Sequence, residues 1–213
     1  MTPQSASDAC AEICALAPVM PVLVVNDVDD ARPLAQALIA GGLPALEVTL
    51  RTPAALDVID AMSSVAGGVV GAGTLLTVAD VWDAKQAGAR FGVSPGATEQ
   101  LLQAAQEADL PLLPGAATAT EVMRLLERGY WMQKFFPAEA IGGAAALKAI
   151  GAPLPQVGFC PTGGISPANA ADYLALANVH CIGGSWVANA GLIAAKNWGE
   201  IEKLSRNARK LRT

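Results

Sequence analysis

The chain has 213 residues, of which 53% are hydrophobic and 15% are charged. This composition is too apolar for a disordered chain, and the length suits one domain with a sizeable core. The net charge of −5 argues against a general nucleic-acid surface, and no apolar run reaches the roughly 18–20 residues of a membrane span.

In chain order, residues 1–17 come first and are predicted to form an extra N-terminal helix. They contain Asp8 and Glu12 but no basic residue, so they match neither a secretory signal nor a transit peptide. We therefore expect a cytoplasmic protein that has no membrane partner.

Short β-branched or apolar runs then alternate with alanine-rich stretches of helical pattern, about eight times. The predicted strands are Val19–Val25, Ala45–Thr49, Val69–Ala72, Phe91–Val93, Leu110–Leu113, Trp131–Phe135, Val157–Cys160 and Val179–Ile182. The predicted helices between them are Asp29–Ala40, Pro53–Val65, Val78–Ala87, Glu99–Ala108, Ala119–Arg128, Ala144–Ile150 and Pro167–Ala177. A short segment, Ser185–Lys196, precedes a C-terminal helix over 198–213.

Helix start and stop signals in the sequence support this alternation. Thr118 and Glu121 form a capping-box pattern at a helix start, and Gly41-Gly42 follows a helical stretch as a stop signal. Strand–helix repeats imply parallel strands joined by helical crossovers. Eight such units most simply close into a (β/α)8 TIM barrel, as one domain over residues 1–213. An open doubly wound sheet is the second choice.

Lys134 is the most informative single residue, because it lies among apolar residues in the predicted strand Trp131–Phe135. A buried ammonium must be paired, hydrated or neutral. Burial lowers a lysine pKa from its reference of about 10.4, and a neutral amine attacks carbonyl carbon. The alternative for this residue alone is a lysine that extends to solvent at the end of the strand.

Polar residues alternate along the second predicted strand. Glu47, Thr49 and Arg51 fall on one side of it, and Leu46 and Val48 on the other. A structural salt bridge is one explanation, but buried ion pairs are weak stabilisers. The pattern favours a polar stripe inside the barrel.

Glycine-rich turns follow several strands, at the barrel end where active sites form. Gly71-Ala72-Gly73-Thr74 fails the dinucleotide fingerprint, because Leu76 stands where the last glycine is required. It instead presents the Thr74 hydroxyl to an anion. Gly163-Gly164 and Gly183-Gly184-Ser185 follow the last two strands, where barrels commonly bind phosphate.

The four cysteines and the single histidine do not predict a metal site. Cys10 and Cys14 are one helical turn apart, but no further ligand follows at the spacing of a metal site. Cys160 and Cys181 lie in apolar strands and are interpreted as core thiols. His180 is interpreted as a strand-edge residue.

These segments together resemble the class I 2-keto-3-deoxy-6-phosphogluconate (KDPG) and 4-hydroxy-2-oxoglutarate (KHG) aldolase family. The resemblance runs from about residue 15 to the C-terminus. It is carried by the segments 42–51 and 129–142, by Gly71-Ala72-Gly73-Thr74 and Ser94-Pro95-Gly96, and by 159–167 and 181–186. One departure is Gln133, at a position that is usually apolar in the family; alternation points its side chain away from Lys134.

The resemblance implies a homotrimeric barrel that cleaves a phosphorylated 2-keto-4-hydroxy acid with no metal or other cofactor. Lys134 would form a Schiff base with the C2 carbonyl, and Glu47 would move protons. The remaining implied contacts are Arg51 and Thr74 to the substrate carboxylate, Thr162, Pro95 and Phe136 to its middle part, and Gly163, Gly164, Gly184 and Ser185 to its phosphate.

Two functional alternatives stay open at this point. One is an aldolase for the galactonate-derived epimer, which differs at one stereocentre. The other is a phosphosugar isomerase that uses Glu47 as its base and needs no covalent lysine, and a binding protein without turnover is a weaker third choice.

Overall fold

Short apolar runs form the strands of an α/β fold, and the computed structural model describes residues 1–212 of the chain. The strands are β1 Val19–Leu23, β2 Ala45–Thr49, β3 Val69–Gly73, β4 Gly92–Val93, β5 Leu112–Leu113, β6 Gly115–Ala116, β7 Met132–Phe135, β8 Gly158–Pro161 and β9 Ile182–Gly184. The helices are α1 Pro3–Ala15, α2 Ala31–Ala40, α3 Ala55–Ser63, α4 Val78–Gln86, α5 Glu99–Glu107, α6 Ala119–Glu127, α7 Gly143–Gly151, α8 Ala170–Leu174, α9 Ala190–Ala194 and α10 Trp198–Arg209.

All strand pairs are parallel, as the strand–helix alternation predicts. A six-stranded sheet in the order β5-β4-β3-β2-β1-β9 forms a half-barrel, and β6-β7-β8 form a second sheet. Two isolated parallel bridges, Phe159 with Val179 and Thr162 with Gly183, link β8 to the segment around β9. Parallel pairing brings the carboxyl ends of neighbouring strands to one edge, where the predicted site residues stand.

Side chains on the two faces of the strands enter two different apolar clusters. Leu46 and Val48 of β2 pack in the large cluster between strands and helices. Ala45, from the opposite face of β2, packs in a smaller inner cluster with Met132 of β7. The inner face of β2 therefore also carries Glu47 and Thr49, and that of β7 carries Lys134.

Helix α1 contributes to the inner cluster through Cys10 and Cys14. Its N-terminus is capped by the Thr2 hydroxyl, which accepts a hydrogen bond from the Ser5 amide at 3.2 Å. Further along, the Ser7 hydroxyl accepts from the Met132 amide at 3.3 Å, and Asp8 accepts from the Trp131 indole at 2.8 Å. The predicted helix over residues 1–17 is thus present over Pro3–Ala15 and is tied to the start of β7.

The fifth predicted strand, Leu110–Leu113, differs most from the structure. Only its residues Leu112–Leu113 form a strand, β5, which pairs with β4, and a separate strand β6 follows Pro114 and pairs with β7. Proline has no N–H to donate to a ladder, which explains the break. The Pro114 carbonyl still accepts a hydrogen bond from the Lys134 amide at 2.9 Å, so this residue helps to hold the lysine strand.

Smaller differences concern the ends of the chain's last elements. The eighth predicted strand, Val179–Ile182, shifts to Ile182–Gly184, because its ladder with β1 begins where Val19 lies opposite Ile182. The segment Ser185–Lys196 contains the short helix α9, which was not predicted. The predicted C-terminal helix over 198–213 is α10 and then a 3-10 turn at Lys210–Arg212, and residue 213 lies outside the described residues.

Within residues 1–212, no helix combines the length and the apolar character that crossing a bilayer requires.

Candidate active site

Lys134 and Glu47 form a buried pair on the inner faces of β7 and β2. The Lys134 Nζ atom lies 3.4 Å from Glu47 Oε1, and the two residues are only 5% and 2% exposed. The other lysines of the described chain are exposed. An ammonium at this depth needs such a partner, so the interpretation of Lys134 as a lysine that extends to solvent does not fit.

The surroundings of Glu47 raise the pKa of its carboxyl above the usual value. Burial raises the pKa of the Glu47 carboxyl, the positive charge of Lys134 partly opposes this rise, and the nearby Cys160 thiol adds to it. A carboxyl with a raised pKa can both give and take a proton closer to neutral pH.

A glycine at the end of the next strand makes room for the Glu47 carboxyl. Gly73 lies opposite Thr49 in the register of β2 and β3. A Cβ atom at Gly73 would lie 2.3 Å from Glu47 Oε1, so the Glu47 side chain would have to move. Gly183 does the same for Thr162, whose Oγ1 would meet a Cβ there at 2.2 Å. The sequence marked both glycines as turn residues, and it gave no sign that they clear space for these side chains.

Phe136 and Pro95 lie near the mouth of this inner space. Lys134 Nζ is 5.1 Å from the centre of the Phe136 ring, a distance at which the ring face attracts a cation. Pro95 follows β4 and is half-buried, with its carbonyl packed against Gly115 of the neighbouring β6.

Arg51 and Thr74 stand at the ends of adjacent strands, but neither reaches the Lys134–Glu47 pair through a hydrogen bond. Arg51 lies in the turn after β2, where its side chain is exposed and has no carboxylate partner among residues 1–212. Thr74 directly follows β3 and has a positive φ of 62°, a conformation that non-glycine residues rarely adopt outside functional or strained turns. The Leu50 amide donates to the Gly73 carbonyl at 2.8 Å and holds the two turns together.

The predicted phosphate loops also lie side by side. Gly163 and Gly164 have φ values of 106° and 78°, which permit backbone N–H groups to converge on an anion. Gly184 ends β9, and the Ser185 side chain is exposed just after it. The bridge between Thr162 and Gly183 joins the two loops.

Thr162 lies between the phosphate loops and the lysine. Its Oγ1 atom is buried and makes no hydrogen bond with any described residue. A buried hydroxyl in this state is costly, and a polar substrate atom could satisfy it. The Ala138 amide donates to the Thr162 carbonyl at 2.9 Å and connects this loop to the segment that follows Lys134.

Two further contacts bear on the sequence predictions. The Gln133 side chain points away from Lys134, as alternation predicts, and donates to the carbonyls of Val122 and Tyr130 at 3.1 and 2.8 Å. The Tyr173 hydroxyl donates a short hydrogen bond to Glu139, which the sequence did not predict. This bond ties α8 to the segment after the lysine strand.

Comparison with known proteins gives one consistent answer. A family model described as KDPG and KHG aldolase matches residues 10–204. The 2-dehydro-3-deoxy-phosphogluconate aldolase of Pseudoalteromonas atlantica is 51% identical over 192 residues, which cover 90% of this chain and 89% of that protein.

This chain belongs to the KDPG and KHG aldolase family. The resemblance read from the sequence motifs is therefore confirmed.

Solved structures of this aldolase family have the same fold. The KDPG aldolase of Zymomonas mobilis ZM4, crystallised with 3-phosphoglycerate, has 48% identity and a TM-score of 0.91, with 96% of this chain and 97% of that chain covered. The KDPG aldolase of Legionella pneumophila has 46% identity and a TM-score of 0.91, with 94% and 98% covered. That structure holds pyruvate captured at low pH as a covalent carbinolamine intermediate.

Removing the Lys134 charge should raise the Glu47 pKa further, because this charge is what opposes the effect of burial. A carboxyl with a raised folded-state pKa causes no loss of stability at low pH, where it is protonated in both states. Stability then falls as pH rises from the unfolded pKa through the folded one. We expect Lys134→Met to lose up to about 3–5 kcal/mol in this way, the range for breaking a buried ion pair.

Urea unfolding of Lys134→Met from acidic to mildly alkaline pH measures this loss. The matched control is Lys134→Met/Glu47→Gln, which lacks the carboxyl and should lose much less stability over the same range. An equal pH dependence of the free energy of unfolding in the two variants would show that ionisation of Glu47 does not cause the loss of stability.

Proposed function

We propose that this chain is a class I aldolase that cleaves KDPG to pyruvate and glyceraldehyde 3-phosphate through a Schiff base on Lys134. The observation that carries this proposal is the buried Lys134–Glu47 pair, with 3.4 Å between Nζ and Oε1. Family membership supports the same reaction type, and a covalent lysine mechanism requires no metal or other cofactor.

The reaction begins with transfer of a proton from the Lys134 ammonium to Glu47, which frees the amine. The amine attacks the C2 carbonyl, and the carbinolamine loses water when Glu47 returns a proton to the leaving oxygen. The product is a protonated Schiff base, in which nitrogen carries the positive charge. The low polarity of the surrounding inner cluster strengthens the effect of this charge.

Carbon–carbon cleavage uses the Schiff base as an electron sink. Removal of the C4 hydroxyl proton, with Glu47 as base directly or through water, breaks the C3–C4 bond. The bonding electrons move toward the iminium nitrogen and leave an enamine, while C4 departs as the aldehyde of glyceraldehyde 3-phosphate. Protonation of the enamine at C3 and hydrolysis of the Schiff base then release pyruvate and restore the lysine.

The surrounding strand ends would position the substrate. Arg51 and Thr74 would bind the C1 carboxylate, since Arg51 offers a fork of donors that no described carboxylate occupies. Thr162 would bind a hydroxyl of the substrate through its buried Oγ1 atom, and Pro95 and Phe136 would pack against the substrate chain.

The two glycine loops decide the substrate class that we propose. Gly163, Gly164, Gly184 and Ser185 would bind a terminal phosphate through backbone N–H groups and the Ser185 hydroxyl. A phosphorylated substrate is therefore favoured over KHG, which has a second carboxylate but no phosphate and would yield pyruvate and glyoxylate. The galactonate-derived epimer differs only at one carbon near Thr162 and stays the alternative.

We propose further that the two sheets form one complete (β/α)8 barrel over residues 1–213, with α1 covering its N-terminal end. Three arrangements support this architecture: β5 and β6 flank the single residue Pro114, bridges link β8 to the β9 segment, and Cys10 and Cys14 of α1 enter the inner cluster.

Homotrimer assembly is proposed from the resemblance to the family, and a surface feature supports it. Val78 and Trp82 lie on one face of α4 and, with Leu76 just before it, are exposed large apolar side chains. Exposed apolar patches often mark association surfaces. The cytoplasmic location expected from the sequence stays a prediction.

Kinetics with KDPG test the proposed reaction. We expect Lys134→Ala and Lys134→Arg each to lower kcat by about 10³-fold or more, because removing a covalent nucleophile has at least this effect and a guanidinium stays protonated. Pyruvate release is the measurement, and Lys148→Ala, which removes an exposed lysine of α7, should keep wild-type turnover.

The same assay separates the alternatives. Wild-type kcat/KM should be highest for KDPG, lower for the galactonate epimer and lower again for KHG. Release of pyruvate by Lys134→Ala at more than a few per cent of the wild-type rate would contradict a covalent role for this lysine and would favour Glu47 acting alone as base.

Gly73→Ala tests whether the position of the Glu47 carboxyl limits the rate. The added Cβ must displace Oε1 from a distance of 2.3 Å, and a misplacement of about 1 Å can lower a rate by about 10²-fold. We expect kcat to fall by about this factor, more than any change in KM. The control is Gly199→Ala, whose Cβ meets no atom within 4 Å. Equal kcat in Gly73→Ala and wild type, with both folded by thermal melting, would contradict the assigned role.

A further inference from the structure

Three cysteines that are far apart in the sequence meet in the inner cluster. Cys14 comes from α1, Cys160 from β8 and Cys181 from the residue before β9. Their Sγ atoms all lie within 4.8 Å of one another, and Cys160 Sγ is 3.4 Å from Cys181 Sγ. All three residues are buried and at most 2% exposed.

The structure confirms that Cys160 and Cys181 are core thiols, as the sequence predicts. It also brings Cys14, which the sequence groups only with Cys10, next to them. In the structure Cys14 joins the two strand cysteines, whereas Cys10 is buried nearby and lies outside this group of three. We call Cys14, Cys160 and Cys181 the trithiol cluster.

The spacing of the trithiol cluster suits three sulfurs on one central atom. Three sulfurs spaced equally around one atom at about 2.3 Å, the length of a zinc–sulfur bond, lie at most about 4.0 Å apart. The Sγ atoms of Cys160 and Cys181, at 3.4 Å, are inside this limit, and the Sγ atom of Cys14, within 4.8 Å of both, reaches it by a small side-chain rotation. Sulfur is a soft ligand and selects thiophilic ions.

The number of ligands limits which ions the cluster can bind. Structural zinc sites have four protein ligands, and among residues 1–212 the cluster contains only three ligating side chains. Most of the surroundings are apolar, since Met20, Phe91, Val93 and Leu113 belong to the same inner cluster, and the buried Lys134 lies opposite Cys160 in the strand register. A complex with a net charge would be costly there, and the three negative charges of three thiolates are neutralised by a trivalent ion.

We propose that the trithiol cluster is a binding site for a trivalent thiophilic metalloid, arsenic(III) or antimony(III). Arsenous acid, As(OH)3, would react with the three thiols by exchange. Three As–O bonds break, three As–S bonds form, and the three thiol protons leave with the three hydroxyl groups as water. The oxidation state of arsenic does not change, no electron donor is needed, and the product is neutral.

The bound metalloid would cross-link three separate elements, α1, β8 and the start of β9. A ligand that binds the folded state but not the unfolded one stabilises the fold by mass action. Entry requires local opening of α1, which costs less than global unfolding, and arsenous acid is small and uncharged. We therefore expect slow binding followed by a higher melting temperature.

Sodium arsenite added to the full chain, kept reduced with a phosphine, tests the proposal. Native mass spectrometry should show one arsenic per chain and the loss of three hydrogens, and X-ray absorption should show three As–S bonds and no As–O bond. Cys14→Ala should lose affinity by more than about 100-fold, since even loss of an outer-shell partner lowers metal affinity by about 10–100-fold. Cys10→Ala, the matched control one helical turn away, should bind like wild type.

Several results would overturn the assignment. They are no arsenic on the wild-type chain, two sulfurs with one oxygen around arsenic, unchanged affinity in Cys14→Ala, or tighter binding of zinc(II) than of arsenite. Should Cys14→Ala fail to fold, the sulfur count on the wild-type chain decides alone. None of these measurements uses aldolase turnover, so their outcome is independent of the proposed function.

Discussion

The burial of Lys134 beside Glu47 is the constraint on which the rest of the site depends. Two ionisable groups inside a sheet are stable only when they face each other, because an unpaired charge at that depth is strongly destabilising. Strand register fixes the neighbours of both groups. Glu47 of β2 lies opposite Val22 of β1 and Gly71 of β3. Lys134 of β7 lies opposite Gly115 of β6 and Cys160 of β8. Three of the four residues facing the pair are small, and the Phe91 ring packs directly against Gly71.

The same constraint explains where the glycines fall. Gly73 and Gly183 are needed because the side chains of Glu47 and Thr162 occupy the volume that a Cβ atom would take. Gly163 and Gly164 are needed for a different reason, their positive φ values. One residue type thus has two physical uses, space for a neighbouring side chain and a backbone shape that points N–H groups outward.

Much of this arrangement could be read from the sequence, because it depends on local patterns. Alternation along Ala45–Thr49 placed Glu47 on the inner face, and the apolar context of Lys134 marked it as buried. The break at Pro114 could have been anticipated, since proline donates no hydrogen bond. The space that Gly73 leaves for the Glu47 side chain could not be anticipated from the sequence, because it depends on how two strands align in space. The trithiol cluster is the feature least predictable from the sequence. Cys14 and Cys160 come together only because α1 packs against the strands, and their spacing along the chain does not indicate this contact.

The central claim is that Lys134 forms the covalent bond to substrate. Borohydride reduction of the protein in the presence of pyruvate, followed by peptide mass mapping, tests it most directly. We expect one reduced pyruvate adduct per chain, on Lys134. Pyruvate bound to the protein with Lys134 left unmodified, or an adduct on one of the exposed lysines instead, would contradict a covalent role for Lys134.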